Sequence, residues 1–291
     1  MNDPRAASAP APTVRRVVLG RRLQTLRERA GLSYEQAALA LDVTHATIRR
    51  MEKAEVGLKI VYVEKLLHTY GVTNQDEIEQ FIALTRRASE PGWWHRYRDV
   101  LQEWFSAYVS LEEAATLIRA YEPHYVPGLL QTKDYARMVL RAGRPHGAEA
   151  EVERLVALRM ERQALLVRPD APTLWVVLDE TVLRRPVGPV DVVDAQLAHL
   201  IDCMAMPNVI VQIMPFSAGP HPAMYGPFYI FRFESAELPD VVYCESLTGA
   251  VYLDDREDVS AHAEALDRMF AQSTPVERTE DFLGAIRKEL K

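Results

Sequence analysis

The sequence has few cysteines and no long hydrophobic segment. Its only cysteines are Cys203 and Cys244, too few for a disulfide framework or a cysteine zinc site, so we expect two buried thiols in a reducing cytoplasm. No run of residues approaches the roughly 18 apolar residues that a membrane span needs. The first residues also lack the apolar block of a secretory signal. These absences favour a cytoplasmic protein without a membrane anchor.

Sequence motifs for catalysis are missing as well. The 13 glycines stand mostly alone, so no glycine-rich loop is available to cradle a phosphate. No nucleophile elbow and no pair of histidines at metal-binding spacing is present. We therefore predict that the protein is not an enzyme and that it has no catalytic residues, no metal site and no cofactor.

Positive charge is concentrated near the N-terminus. The whole chain carries a formal net charge of -7, but residues 1–88 have a balance of +4 and the remaining residues one of -11. A basic head on an acidic body would present the head to DNA phosphates, because the body is repelled from them.

The length of 291 residues exceeds one average core, so we expect two domains. Residues 1–18, rich in alanine and proline, are predicted to be a disordered arm. Residues 19–88 show short helical periods that predict an all-α domain of five helices. Residues 89–291 combine helices, one of them expected at Leu111–Tyr121, with the β-rich runs TLWVVLD, NVIVQIMP, PFYIFRF, DVVYCES and AVYLDD. That pattern predicts an α+β domain with a mostly antiparallel sheet.

The strongest local pattern is SYEQAALALDVTHATIRRMEKA, which predicts a helix, a four-residue turn and a second helix. Ser33 and Gln36 stand at capping-box spacing, and Thr44 can cap the second helix. Apolar residues at helical spacing are expected to point inward, namely Ala37, Ala38, Leu41, Ile48 and Met51. The residues that this burial leaves on or near the outer face are Thr44, His45, Ala46, Thr47, Arg49 and Arg50.

The outer face of the second helix has the composition of a DNA-reading surface. Arg50 can donate a bidentate pair to guanine, and His45 can donate to a purine N7 atom. Thr44 and Arg49 are better placed for phosphate. The alternative is an ordinary two-helix hairpin, which also has apolar residues inside and charges outside.

The words LGRRLQTLRERAGLSYEQAALAL and VTHATIRRMEKA resemble the Cro and phage-repressor class of helix-turn-helix domains, the xenobiotic-response-element class. The resemblance places His45, Ala46 and Arg50 at base-reading positions. It also implies an ion pair between Arg27 and Glu52. The chain departs from the family at two positions. Tyr34, predicted here to contact DNA, stands where many members have a DNA-contacting glutamine, and Ala54 stands where a glycine usually ends the helix.

The second part of the chain resembles the C-terminal domain of the WhiJ-like, antitoxin-like regulators of actinomycetes. The words that carry this resemblance are LEEAATLIRAYEPHYVPGLLQTKDYAR, LWVVLDETVLRRPVG, GPFYIFRF and DVVYCES. The resemblance implies regulation of development or antibiotic production, and a small acidic partner protein encoded nearby. It supplies no ligand.

Three polar residues of the second domain are candidates for binding a ligand or partner. Glu180 and Arg184 follow a predicted strand end, where binding groups often gather, and His221 lies in a predicted loop. The alternatives are a structural ion pair between Glu180 and a nearby arginine, and loop packing for His221.

From these observations we expect a sequence-specific transcriptional regulator that binds double-stranded DNA, acts as a homodimer and is associated with the nucleoid. Its second domain is expected to bind a partner protein or ligand. One alternative is an antitoxin-like switch that regulates its own genes under the control of a small partner. A more distant alternative is an enzyme domain that carries a DNA-binding head, which a pocket of converging titratable groups would favour.

Overall fold

The computed structural model describes residues 14–90, 92–234 and 238–290. The described chain divides into two compact units. The first contains the described residues up to Arg96 together with Gln102–Leu111, and the second contains Tyr97–Leu101, Glu112–Glu234 and the chain from Pro239 onward.

The first unit is the predicted helical domain. Its first five helices are α1 (Val14–Arg29), α2 (Tyr34–Leu41), α3 (His45–Glu52), α4 (Ile60–Thr69) and α5 (Gln75–Ser89). Ser33 and Gln36 form the expected capping box at the start of α2. Gly31 and Gly71, at φ values of 68° and 81°, supply the left-handed backbone that follows α1 and α4 and that favours glycine.

The core of the first unit lies between these helices. All five residues predicted to point inward from α2 and α3 are buried, and they join apolar residues of α1, α4 and α5 in one cluster. Burying a leucine or isoleucine side chain fully contributes about 1.5–3 kcal/mol. The packing of these apolar faces therefore holds the short helices together, because helices of this length are marginal alone.

The predicted arm at residues 1–18 needs a correction at its end. Residues 1–13 lie outside the described part of the chain, but α1 already begins at Val14, so residues 14–18 are helical. Val14 is buried, and its N–H donates to the Ser110 hydroxyl at 2.9 Å. Because Ser110 is 96 residues away in sequence, the local composition of residues 1–18 gave no indication of this hydrogen bond.

The second unit contains the sheet and most of the remaining helices. α6 (Glu103–Ala114) begins in the first unit and ends in the second. The elements that follow in chain order are β1 (Leu117–Glu122), α7 (Lys133–Ala142), α8 (Glu149–Arg162), β2 (Thr173–Asp179), α9 (Glu180–Arg184), α10 (Val190–Met204), β3 (Val209–Met214), β4 (Phe228–Arg232), β5 (Val241–Ser246), β6 (Gly249–Leu253), α11 (Arg256–Gln272) and α12 (Val276–Glu289). None of the helices in the described ranges is long and apolar enough to cross a membrane.

The six strands form one mixed sheet in the order β3-β2-β1-β4-β5-β6. β1, β2 and β3 are parallel to one another, whereas β4 pairs antiparallel with both β1 and β5, and β5 pairs antiparallel with β6. The sheet is therefore mostly antiparallel, as predicted. The connection from β1 to β2 contains α7 and α8, because parallel strands require a crossover.

The helix expected at Leu111–Tyr121 was wrong over its second half. α6 ends at Ala114, and the chain then enters β1, which lies between β2 and β4. Ile118, Ala120 and Tyr121 are all buried in this strand. A short run that is buried on both faces carries no alternation, so periodicity alone does not separate it from a buried helix.

Candidate nucleic-acid interface

α2 and α3 form the predicted helix-turn-helix, joined by residues 42–44. The turn has three residues instead of the expected four. Asp42 adopts the left-handed conformation at φ 55°, and Val43, whose N–H donates to the Ala38 carbonyl at 3.1 Å, packs against the core. Val43 therefore fills the inside of the turn, and it fixes the direction in which α3 leaves α2.

α3 has one buried side and one exposed side. Ile48 and Met51 are buried, while Thr44, His45, Ala46, Arg49 and Arg50 are exposed. We call these five exposed residues the α3 face. The structure brings together on this face all the DNA-contacting residues predicted for α3 and its cap, except that Thr47 is only half-exposed. Their contact with DNA stays a prediction.

Two threonines start α3. The Thr44 hydroxyl accepts the Thr47 N–H at 3.3 Å and lies 3.0 Å from the Thr47 hydroxyl. The first turn contains no acidic residue. The positive end of the helix dipole at this terminus is therefore not neutralised by a first-turn carboxylate, which favours an external anion such as a DNA phosphate.

The ion pair implied by the family resemblance is present and buried. Arg27 donates from Nε and Nη2 to the two carboxylate oxygens of Glu52 at 2.7 and 2.9 Å, and from Nη1 to the Leu32 carbonyl at 2.9 Å. The hydrogen bonds to Glu52 raise the pKa of Arg27 further above its usual range. This fork ties α1 to the last residue of α3 and thereby orients the α3 face.

α1 also approaches the end of α3 at Gly20. A Cβ atom on Gly20 would lie 2.3 Å from the carbonyl oxygen of Glu52 and 2.9 Å from that of Met51. These neighbours are backbone atoms that cannot rotate away, so only glycine allows this crossing.

Tyr34 has a packing role that sequence reasoning missed. The Arg27 guanidinium lies over the Tyr34 ring, 4.1 Å from its centroid, and the ring is half-buried against the core. A cation held over an aromatic face in this way stabilises the buried ion pair. The DNA contact proposed for Tyr34 stays a prediction.

The end of α3 places a carboxylate beside the α3 face. Ala54 adopts a left-handed φ of 59°, so the helix ends without the glycine that the family usually has there. Glu55 follows, and its carboxylate lies 3.7 Å from Nε of Arg50. The sequence analysis did not predict this ion pair, although Glu55 is only five residues from Arg50 and the short spacing could have indicated it.

In the second unit, Glu180 and Arg184 form the structural ion pair that was the alternative to a ligand clamp. Glu180 is buried, accepts from Nε of Arg184 at 2.5 Å and accepts the Phe216 N–H at 2.8 Å. Arg184 also donates to Glu289 at 2.6 Å. The pair thus connects α9 to α12 and to the turn after β3. A binding role for these two residues stays a prediction.

His221 lies in a buried polar cluster. Its Nε2 atom is 3.2 Å from the Tyr121 hydroxyl and 3.8 Å from Asp179, and Tyr121 donates to Asp179 at 3.2 Å. Burial, followed by the Asp179 charge, raises the pKa of Tyr121. Nδ1 of His221 has no hydrogen-bond partner among the described residues. Tyr121 was not identified from the sequence because its segment was assigned to a helix.

Another acid of the second unit, which is half-buried, lies at the end of β1. Glu122 accepts from the Tyr229 hydroxyl at 2.7 Å. Burial raises the pKa of Glu122 to about 8, the Glu245 charge raises it as well, and the Tyr229 hydrogen bond and Arg159 oppose the shift. Within the described ranges, no three His, Cys, Asp or Glu side chains are grouped to hold a metal. Cys203 and Cys244 are both free thiols.

Two family models match the chain. A model described as a helix-turn-helix domain matches residues 18–81, which contain α2 and α3. A model described as a domain of unknown function, DUF5753, matches residues 105–285, more than half of the chain. No curated protein and no solved structure matches.

Proposed function

We propose, from the premise that this chain belongs to the DUF5753 family and carries a helix-turn-helix domain in front of it, that the protein is a sequence-specific transcriptional regulator. The helix-turn-helix match indicates a DNA-binding regulator. We propose further that the protein reads DNA bases through α3, that it assembles as a homodimer and that it is located on the chromosome in the cytoplasm.

The observation that carries the proposal is the division of α3 into a buried and an exposed side. Ile48 and Met51 fix the helix to the core, and the buried fork between Arg27 and Glu52 fixes its end. The α3 face therefore stands on a rigid support, which sequence readout needs. It carries the side chains suited to base edges and phosphates and no carboxylate of its own.

We assign the roles by the geometry of the groups. Arg50 contacts guanine through its two terminal nitrogens, and His45 donates to a purine N7 atom. Thr44 and Arg49 contact phosphates and set the register of the helix in the major groove. A single recognition helix reads a short half-site with little affinity, so two heads in a homodimer are proposed to supply the rest.

The second unit is proposed to control DNA binding by holding a partner. The resemblance to the WhiJ-like, antitoxin-like regulators of actinomycetes supports a small acidic protein in this role. The docking candidates are the turn at Asp179–Arg185 and the loop at His221–Tyr225. Two observations support this location: Met224 and Tyr225 expose large apolar side chains in the loop, and Arg185 exposes a positive charge at the end of the turn.

The antitoxin-like alternative uses the same contacts but regulates mainly its own genes. The enzyme alternative has one observation in its favour, the cluster of Tyr121, Asp179 and His221. The Tyr121 hydroxyl and the Asp179 carboxylate lie beside the histidine, but Tyr121 packs in the core and Asp179 caps α9, so we favour binding over turnover.

The direct test is to map the genomic binding sites of the full-length protein and to confirm them with purified protein on short duplexes. Sites with two-fold symmetry and regulated genes beside them are expected. A single autoregulated site would favour the antitoxin-like alternative, and an absence of preferred sites would refute the proposal. Recovery of a small acidic protein with the full-length chain, followed by a change of DNA affinity on its addition, tests the role of the second unit.

A further inference from the structure

Arg50 and Glu55 form an exposed ion pair, longer than a hydrogen bond, at the edge of the α3 face. The atom of Arg50 that faces the Glu55 carboxylate is Nε, at 3.7 Å. Both side chains remain about half-exposed, at 56% and 52%. The guanidinium is planar and has three nitrogens. A carboxylate on the Nε side leaves the two terminal nitrogens as the pair that can contact guanine.

The backbone at the end of α3 fixes the position of Glu55. The Glu55 N–H donates to the Arg50 carbonyl at 2.9 Å, and the Ala54 N–H donates to the Met51 carbonyl at 3.1 Å. Together with the left-handed φ of Ala54, these bonds make a Schellman motif. Backbone hydrogen bonds therefore hold the main chain of Glu55 one turn beyond Arg50, from where its carboxylate reaches the Arg50 guanidinium.

We propose that Glu55 is a positioning and specificity-determining residue that acts through Arg50. The carboxylate holds the Nε edge of the guanidinium so that the two terminal nitrogens point to guanine. The same carboxylate repels phosphates, so it disfavours complexes in which Arg50 contacts only the DNA backbone. This inference rests on the proposed function, because it needs Arg50 to read a base.

The two effects of Glu55 have opposite signs on the two kinds of DNA. At the preferred site, loss of the carboxylate releases Arg50 and lowers affinity. On other sequences, the loss removes a repulsive charge and raises affinity, since this binding is mainly electrostatic. An exposed ion pair contributes only about 0–1 kcal/mol, so each change is expected to be about two- to fivefold. A residue that only caps the helix would lower both affinities together.

The experiment compares full-length wild type with Glu55→Gln on the best duplex from the genomic map and on a scrambled duplex of the same composition. Glu79→Gln on α5 is the matched control, because it removes the same charge from a helix that packs on α1 and α4. Arg50→Ala and the double variant Arg50→Ala/Glu55→Gln complete a cycle that isolates the coupling between the two residues. Hydrogen exchange in α3 checks that each variant remains folded.

The expected result is weaker binding of Glu55→Gln to the preferred duplex and tighter binding to the scrambled one, with no such divergence in Glu79→Gln. In the Arg50→Ala background, Glu55→Gln should raise both affinities. Parallel changes of Glu55→Gln on both duplexes, or an unchanged effect in the Arg50→Ala background, overturn the inference and leave the proposed function intact. Equal binding of wild type to both duplexes overturns the proposed function and the inference with it.

Discussion

Replacing Glu52 by glutamine perturbs the buried ion pair that orients α3. The substitution keeps the size of the side chain and one acceptor oxygen but removes the charge. Arg27, with 7% of its side chain exposed, then remains charged and buried, and its partners are the glutamine oxygen, the Leu32 carbonyl, the Tyr34 ring and the exposed Glu28 carboxylate at 3.6 Å. We therefore expect the first unit to lose stability.

The magnitude follows from the burial of both partners. Removing one partner of a buried pair costs about 3–5 kcal/mol, whereas an exposed pair contributes about 0–1 kcal/mol. We expect about 3 kcal/mol, because glutamine retains one hydrogen bond to Arg27. A domain has about 5–15 kcal/mol of stability in total, so the variant should fold but open far more often.

Hydrogen exchange of the α1 and α3 amides in the full-length protein measures this loss directly. Glu264→Gln is the control, because its pair with Arg268 is exposed and should change stability by less than about 0.5 kcal/mol. The double variant Arg27→Met/Glu52→Met removes both charges and should recover much of the loss. A loss below about 0.5 kcal/mol in Glu52→Gln, or a double variant as unstable as the single one, would refute the reasoning.

Two further predictions concern backbone packing and pH. Gly20→Ala should destabilise the first unit by about 1–3 kcal/mol, because the added Cβ meets the Glu52 carbonyl. Gly57→Ala is the control, because Gly57 has open space around it and the substitution should leave stability unchanged. Thermal melts of the two variants measure the difference in stability. Glu122 has a folded-state pKa of about 8 instead of its ordinary 4.5, so the folded protein keeps a proton that the unfolded chain releases, and stability falls as pH rises between these values. Glu122→Gln should remove this fall. Above pH 8 it should be more stable than wild type by up to about 5 kcal/mol, because each pKa unit corresponds to about 1.4 kcal/mol. Denaturant titrations at pH 5 and pH 8.5 would show the difference, and parallel curves would contradict the assigned pKa.

The features of the fold that depend on neighbouring residues were predictable. The capping box of Ser33 and Gln36 acts within one helical turn, and the inward positions of Ile48 and Met51 follow from helical spacing. The five β-rich runs of the second unit are all strands because each is short and bounded by turn residues.

The features that depend on distant residues were not predictable in the same way. β1 is a strand because β2 and β4 pair with it on both sides, and its own sequence has helical spacing. The cluster of Tyr121, Asp179 and His221 joins two strand ends to a loop 100 residues away. Tyr34 was assigned from its position in the family, whereas its ring lies under the Arg27 guanidinium, which the family resemblance had paired only with Glu52.

The measurement that tests the central claim most directly is the DNA affinity of Arg50→Ala and Arg49→Ala, titrated on the preferred and the scrambled duplex at several salt concentrations. Arg50→Ala should cost about 1–3 kcal/mol on the preferred duplex and relax the preference at one position. Arg49→Ala should weaken binding to both duplexes and reduce the salt slope by about one. Equal losses of both variants on both duplexes would contradict base readout by the α3 face.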